Sequence, residues 1–252
     1  MFRVKRTIEE DENLLDIVIM NKKYYKLSHS SDPKIIGVSN GVCQGNIKWK
    51  YFHAPKSEEL ISQYFSLSKF LKHEKKIEPI NFEIEYVEAY KTAKLTDLFL
   101  FSPALYGVSY FVSSKVKEIF ESFKLPISTF IPAVIYHNGN KYHYWAFYIV
   151  EQTKYDTVDF QHSKFYKGLT QSIFPKRYIY FKSFEEYHSY KEDLVAREVI
   201  KINKHFNQNL DLHSCIWHPG GYLISEELKL ELEKSNLKGL VISEIIHPKL
   251  EF

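Results

Sequence analysis

Tyr110–Phe130 reads YFVSSKVKEIFESFKLPISTF, and Tyr222–Ile242 reads YLISEELKLELEKSNLKGLVI. Laid over one another without a gap, 112 positions apart, the two stretches match Tyr110 with Tyr222, Val112 with Ile224 and Ser113 with Ser225. In each, a short apolar strand is predicted to end at the serine, whose hydroxyl can cap the free N–H groups of a following helix. Glu226 and Glu227 fall in the first turn of the second helix, where the positive end of the helix dipole favours carboxylates. Val116, Ile119, Phe120 and Phe123 in the first stretch, and Leu228 and Leu232 in the second, recur at helical spacing and give each helix one face to bury. Each stretch therefore predicts strand, capped helix, strand. Internal duplication and the ordinary likeness of two such units both account for the match.

Outward from the first stretch, Phe130–Tyr136 and Lys141–Val150 predict two strands joined by His137-Asn138-Gly139-Asn140. The Asn-Gly pair accepts positive φ, which marks a tight hairpin. Tyr142, Tyr144, Ala146, Tyr148 and Val150 lie on one face of the second strand, and His143, Trp145, Phe147 and Ile149 on the other. A strand apolar on both faces needs cover on both, and the helices at Ser113 and Ser225 are the natural cover. Arg177–Phe181 predicts a further strand. Ser183 with Glu186 forms a capping box, opening a long helix with Tyr187, Leu194, Val195, Val199 and Ile202 as its buried stripe.

Towards the N-terminus, Leu14–Met20, Tyr24–Leu27 and Lys34–Val38 are short apolar runs separated by turn-forming residues, and Ile47, Trp49 and Tyr51 alternate with Lys48 and Lys50. Ser57-Glu58-Glu59 opens a helix with Leu60, Tyr64, Leu67 and Leu71 on one face. Phe82, Ile84 and Tyr86 alternate with Glu83 and Glu85 in another strand. Lys75–Pro79 is the nearest thing to a linker. It divides an N-terminal sheet and helix region, 1–78, from a core α+β domain, 79–252, unless the chain is one continuous domain. The expected class is α+β: mainly antiparallel sheet packed by several helices starting near Ser57, Ser113, Ser183 and Ser225, with two similar strand-helix-strand units.

The chain has 252 residues, enough for a real core, and its 44% hydrophobic and 26% charged residues are ordinary globular usage. Its 34 basic and 31 acidic residues nearly cancel, so no large field gathers nucleic acid or an anionic membrane. No window approaches the ~18 apolar residues of a membrane helix. The basic start Met1-Phe2-Arg3 runs into Glu9-Glu10-Asp11-Glu12 without an apolar core segment, unlike a signal peptide. Two cysteines, Cys43 and Cys215, are too few for a disulfide framework and suit a reducing compartment. The expected location is the cytoplasm.

A strand ending in serine, a helix of about three turns, and the link Leu237-Lys238-Gly239 into the apolar strand Leu240–Ile246 resemble the C-terminal signature of predicted immunity proteins from bacterial polymorphic toxin systems. That family was first catalogued as one of unknown function. The resemblance spans residues 94–252. It includes Asp97 before LFLFSP, Pro132 after the second strand, the aromatic strand Tyr142–Val150, and Thr157-Val158-Asp159 followed by Ser163 and Phe165. It implies an inhibitor of a cognate toxin domain, a protein partner, and no catalytic residue or cofactor. It also places Asp159 and Ser163 in a fold-defining turn.

Several constellations point to chemistry. His213, Cys215 and His218, beside His205, bring metal-ligand side chains close in sequence, but the spacing matches no standard zinc finger and a fourth ligand is not obvious. No metal is expected. Asp156, Asp159 and His162 suit an acid-base group, or structural capping after a strand. With His213 they define the alternative function, a small hydrolase or nucleic-acid-processing enzyme. Lys167, Lys176, Arg177, Tyr178, Tyr180, Lys182, Tyr187 and Tyr190 interleave bases and aromatics as a single-strand surface does. Glu185, Glu186 and Glu192 interrupt them, which favours a solvated strand and helix. Trp49 and Tyr51 among Lys48, Lys50 and His53 form another aromatic and basic cluster. Neither nucleic acid nor membrane is an expected partner.

Overall fold

The computed structural model describes residues 22–39, 43–53, 59, 61, 64–73, 76–77, 82–168, 176–190, 195–218, 221–246 and 248–252. The strand expected at Leu14–Met20, the start of the helix at Ser57 and most of the Lys75–Pro79 linker lie outside them.

In chain order the first elements are β1 (Tyr24–His29), α1 (Pro33–Ile36), β2 (Gly45–Ile47), α2 (Leu67–His73) and β3 (Ile84–Ala89). Then come β4 (Leu98–Phe99), β5 (Phe101–Ser102), β6 (Val108–Val112), α3 (Ser114–Glu121), β7 (Ser128–His137) and β8 (Asn140–Ile149). They are followed by β9 (Val158–Lys167), β10 (Arg177–Ile179), α4 (Phe184–Ser189) and β11 (Val195–Ile202). The last are β12 (Leu212–His213), β13 (Tyr222–Ser225), α5 (Glu226–Lys234), β14 (Leu240–Ser243) and β15 (Lys249–Glu251). The chain forms two compact units, one of Tyr25–Thr153 with Leu210–Glu244, the other of residues 22–24, Lys154–Asn209 and Ile245–Phe252.

The expected α+β class is corrected: strand makes up 41% of the structure and helix 21%, and the five helices among the described residues are short. In the larger unit a seven-stranded sheet, ordered β4-β6-β8-β7-β3-β2-β5, is a nearly closed barrel. Its two end strands are one segment of chain, Leu98–Ser102, divided at Leu100. Gln44 closes that division: its N–H donates to Leu100 O at 2.7 Å, and its Oε1 accepts from Leu100 N–H at 3.2 Å. Its Nε2 donates to Lys94 O and Thr96 Oγ1. Gln44 is only 1% exposed, and these bonds satisfy a polar group that burial alone would penalise. Inside the barrel, Ile131, Ala133 and Ile135 of β7 meet Tyr144, Ala146 and Tyr148 of β8, with Ile84, Val87, Phe99 and Phe111. That face of β8 is covered by the sheet curling on itself and by Tyr64, Phe65 and Phe70, the last from α2, whose rings all meet Tyr148.

The other face of the barrel sheet carries the second core, and there Tyr110–Phe130 and Tyr222–Ile242 meet. Ser113 and Ser225 both cap helices, with nearly identical backbone angles (φ −67, ψ 161 and φ −64, ψ 163), accepting from Val116 N–H and Leu228 N–H. β4 pairs antiparallel with β6 through Leu98↔Val112, and β12 with β13 through Leu212↔Ile224. The four-stranded sheet β12-β13-β1-β14 thus repeats the order β4-β6-β8-β7. The N-terminal strand β1 fills the place that β8 fills in the barrel. Leu98 and Leu212, Val112 and Ile224, Val116 and Leu228, Phe120 and Leu232 are all buried in this one core. The Tyr110 and Tyr222 rings pack edge to face at 5.7 Å.

The two copies also hold each other. Asp97 N–H donates to Lys238 O at 2.8 Å, and Lys238 N–H returns a bond to Asp97 Oδ2 at 2.6 Å. Asp211 N–H donates to Lys124 O at 2.8 Å, and Lys124 N–H donates to Asp211 Oδ2 at 3.0 Å. Each aspartate also accepts, through its backbone carbonyl, from the capping serine of its own copy. Asp97 adds a side-chain bond from Ser113 Oγ at 2.7 Å.

Two further expectations are corrected by local chemistry. Lys34–Val38 is not a strand: Asp32 caps α1 by accepting from Lys34 N–H, Pro33 opens it, and Gly37 at φ 78 closes it. The long helix from Ser183 stops at Ser189, and Val195–Ile202 is a strand. Val195, Val199, Ile200 and Ile202 are β-branched, and that stiffness favours the pleated surface over the helix. In the smaller unit this strand pairs with β9 and β15 in a sheet ordered β10-β9-β11-β15. Phe160, Phe165, Phe181 and Tyr187 pack together against it, and Arg197 donates to the Tyr155 and Tyr187 hydroxyls at 2.9 and 3.0 Å. Among the described residues no helix is long and apolar enough to cross a membrane.

Candidate functional site

The acid-base group expected from sequence lies in the smaller unit. Asp159 Oδ2 is 2.7 Å from His162 Nδ1, and Asp159 Oδ1 accepts from His162 N–H at 3.3 Å. Asp156 and Asp159 line an open cleft of about 300 Å³ with Lys182, Ser183 and Asn203. The pairing of β9 with β11 jumps from Lys164↔Val199 to Asp159↔Lys201, so residues 160–163 form a bulge. Ser163 Oγ donates to Asp159 O at 2.6 Å and accepts from Lys201 N–H at 2.9 Å. These bonds close the bulge, giving Asp159 and Ser163 a structural task. His162 is mostly exposed.

His213 belongs to the larger unit and is buried, with Nδ1 3.1 Å from Thr153 Oγ1. Cys215 and His218 are buried in the same unit, while His205 is exposed in the smaller one. Burial pushes the Cys215 thiol well above its usual range. Among the described residues no three His, Cys, Asp or Glu side chains gather at metal-binding distances. Lys176 is paired with Glu198 at 2.5 Å and lies over the Tyr166 ring, so part of the basic stretch around Tyr178 is neutralised within its own sheet.

A different surface is more fully built. On the outside of the barrel, Tyr86 of β3 and Tyr136 of β7 stack at 3.9 Å with an interplanar angle of 14°, and Tyr51 tilts onto Tyr86 at 4.8 Å. A bulge makes this possible. Ile84 pairs with Ala133 and Val87 with Ile135, three residues against two. Both Ile84 and Val87 consequently point into the core, and Tyr86 and Glu88 turn outward. Strict alternation would have sent Tyr86 inward with Ile84, and for that reason the sequence reading missed it. The legible signal was Val87, an apolar residue out of phase with Ile84.

Tyr86 and Tyr136 border a cleft of about 430 Å³, whose lining includes Asn46, Lys48, Glu88, Tyr90, Lys91 and the hairpin tip at Asn138 and Gly139. Asn138 (φ 50) and Gly139 (φ 81) form the expected tight turn. Lys50 Nζ stands 4.7 Å over the Tyr51 ring and Lys141 Nζ 5.5 Å over the Tyr136 ring. Tyr90 donates to Asn46 Oδ1 at 3.2 Å. Desolvation, then the Glu88 carboxylate, raises the Tyr86 phenol above its ordinary range, so it stays a hydrogen-bond donor. Only Tyr51 and its lysine neighbours were legible as an aromatic and basic cluster.

The chain matches no family among models of known protein families, and it matches no curated protein. Its likeness to immunity proteins stands on the capped-helix and mid-chain residues quoted above.

Proposed function

We propose that the chain is an immunity protein that binds and neutralises a cognate bacterial toxin domain in the cytoplasm. The observation that carries this reading is the stack of Tyr51, Tyr86 and Tyr136, fixed by mutual ring contact on the outside of the barrel. Tyrosines bury much area while keeping a polar handle, and they dominate protein interfaces. Rings already held in place lose little conformational entropy on binding. A protective complex must outlast exposure to the toxin, so it needs slow dissociation and nanomolar affinity, about −12 kcal/mol, from an interface near ~1,600 Å².

Co-expression with the toxin domain encoded beside its gene tests the reading. Survival with the intact chain, co-elution of the pair, and death with Tyr86→Ala and Tyr136→Ala support it; no toxic neighbour, or no co-elution, removes it. The alternative enzyme reading rests on the Asp159–His162 contact beside its cleft. It predicts that Asp159→Asn abolishes a hydrolytic activity of the purified chain on peptide, ester or nucleic-acid substrates.

A further inference from the structure

The tyrosine face differs from a nucleic-acid platform in one respect: its rings are already covered. Tyr86 is stacked by Tyr136 and contacted by Tyr51. Tyr136 is stacked by Tyr86 at 3.9 Å and has Lys141 Nζ over its ring at 5.5 Å. Lys50 lies over Tyr51. Base recognition needs an open π-face for each nucleotide. This face instead offers phenol hydroxyls and ammonium groups, all hydrogen-bond donors.

The charge is one-sided. Lys48 is paired with Glu88 at 3.3 Å. Lys50, Lys91 and Lys141 make no ion pair with a carboxylate among the described residues, although the chain as a whole carries only +3. Lys91 lines the cleft, and Lys50 and Lys141 stand over the Tyr51 and Tyr136 rings; unneutralised ammonium groups gathered at these rings raise the local concentration of anions and reject like-charged partners. The nearby amide of Asn46 and hydroxyl of Tyr90 are tied to each other and give the cleft a fixed polar floor.

We propose that this face receives an acidic segment of the partner protein, with Asp or Glu carboxylates on Lys50, Lys91 and Lys141 and an apolar side chain against the rim of the tyrosine stack. The identity of that partner as a toxin rests on the immunity reading; the acidic chemistry does not.

The test titrates the full chain by fluorescence anisotropy with a labelled poly-glutamate peptide bearing one phenylalanine. A poly-lysine counterpart and a short oligothymidylate serve as controls. The glutamate peptide should bind, weaken as salt is raised, and lose about tenfold or more in affinity with K50E/K91E/K141E, while the controls show no binding. The milder K50Q/K141Q variant should lose part of the affinity with its melting temperature unchanged, which separates loss of charge from loss of fold. Equal binding by the K50E/K91E/K141E protein, or tighter binding of the oligothymidylate, overturns the proposal. In co-expression, protection retained by the K50E/K91E/K141E variant overturns it and leaves the immunity reading standing. No protection by the intact chain, with lysine-dependent peptide binding intact, removes the immunity reading and leaves the acidic face.

Discussion

Replacing Asp97 with Ala tests whether the reciprocal aspartate contacts hold the two copies together. The carboxylate accepts from Ser113 Oγ at 2.7 Å and Lys238 N–H at 2.6 Å, while the backbone bonds of Asp97 survive the change. A hydrogen bond to a charged group contributes ~1.5–3 kcal/mol. Asp97 is half-buried, so the lower end applies to each bond and the loss should be about 3 kcal/mol. Asp211 accepts from Lys124 N–H at 3.0 Å, and Asp211→Ala should weaken the same contact. For a unit of this size each kcal/mol moves the melting temperature by ~2–4 °C, so Asp97→Ala should melt roughly 6–12 °C lower. Because both aspartates secure the same contact between the copies, the double variant should lose less than the sum of the singles. Urea unfolding followed by far-UV circular dichroism gives all three values. A loss for Asp97→Ala below ~1 kcal/mol would refute the reasoning.

Gly239→Ala should cost about 2–4 kcal/mol in chemical denaturation, because Gly239 sits at φ +82 and an added Cβ would come within 2.5 Å of the Thr96 Cβ. Iodoacetamide on the native protein should label Cys43, which is partly exposed, and spare Cys215, whose thiol is buried and raised; intact-mass analysis counts the adducts, and native labelling of Cys215 would contradict its placement. Burial pushes the Tyr148 phenol up to about 12 and raises Tyr144 and Tyr222 as well. The folded state therefore holds these protons where the unfolded chain, near pH 10, has lost them, so these tyrosines add no pH dependence below about pH 10 and lower stability as pH rises through 10 to 12. The absorbance step of tyrosinate formation should then coincide with loss of near-UV dichroism.

What could be read from the sequence was what neighbours along the chain decide. The Asn138-Gly139 turn is set by two residues that tolerate positive φ, and the serine caps by a hydroxyl three residues from its N–H. Both are local chemistry. The barrel was not legible, because its closure depends on Gln44, a polar residue whose partners lie some fifty positions away. Val195–Ile202 read as helix because apolar residues fell at helical spacing, while their β-branching argued for strand. At the tyrosine face, Tyr51 was flagged with its lysines, but Tyr86 and Tyr136 come together only through a bulge and a parallel strand pair.

Strand β1 has a consequence for how the chain is made. It takes its place beside β14 through Leu27↔Ile242 and Ser28↔Val241, a pairing between segments far apart in sequence. On a ribosome this strand emerges long before β13 and β14, its neighbours in the sheet, and must wait for them. Contacts so far apart in sequence form slowly, and an unpaired apolar strand invites aggregation meanwhile. A stalled or truncated chain lacking Leu240–Ser243 would leave that edge of β1 unpaired.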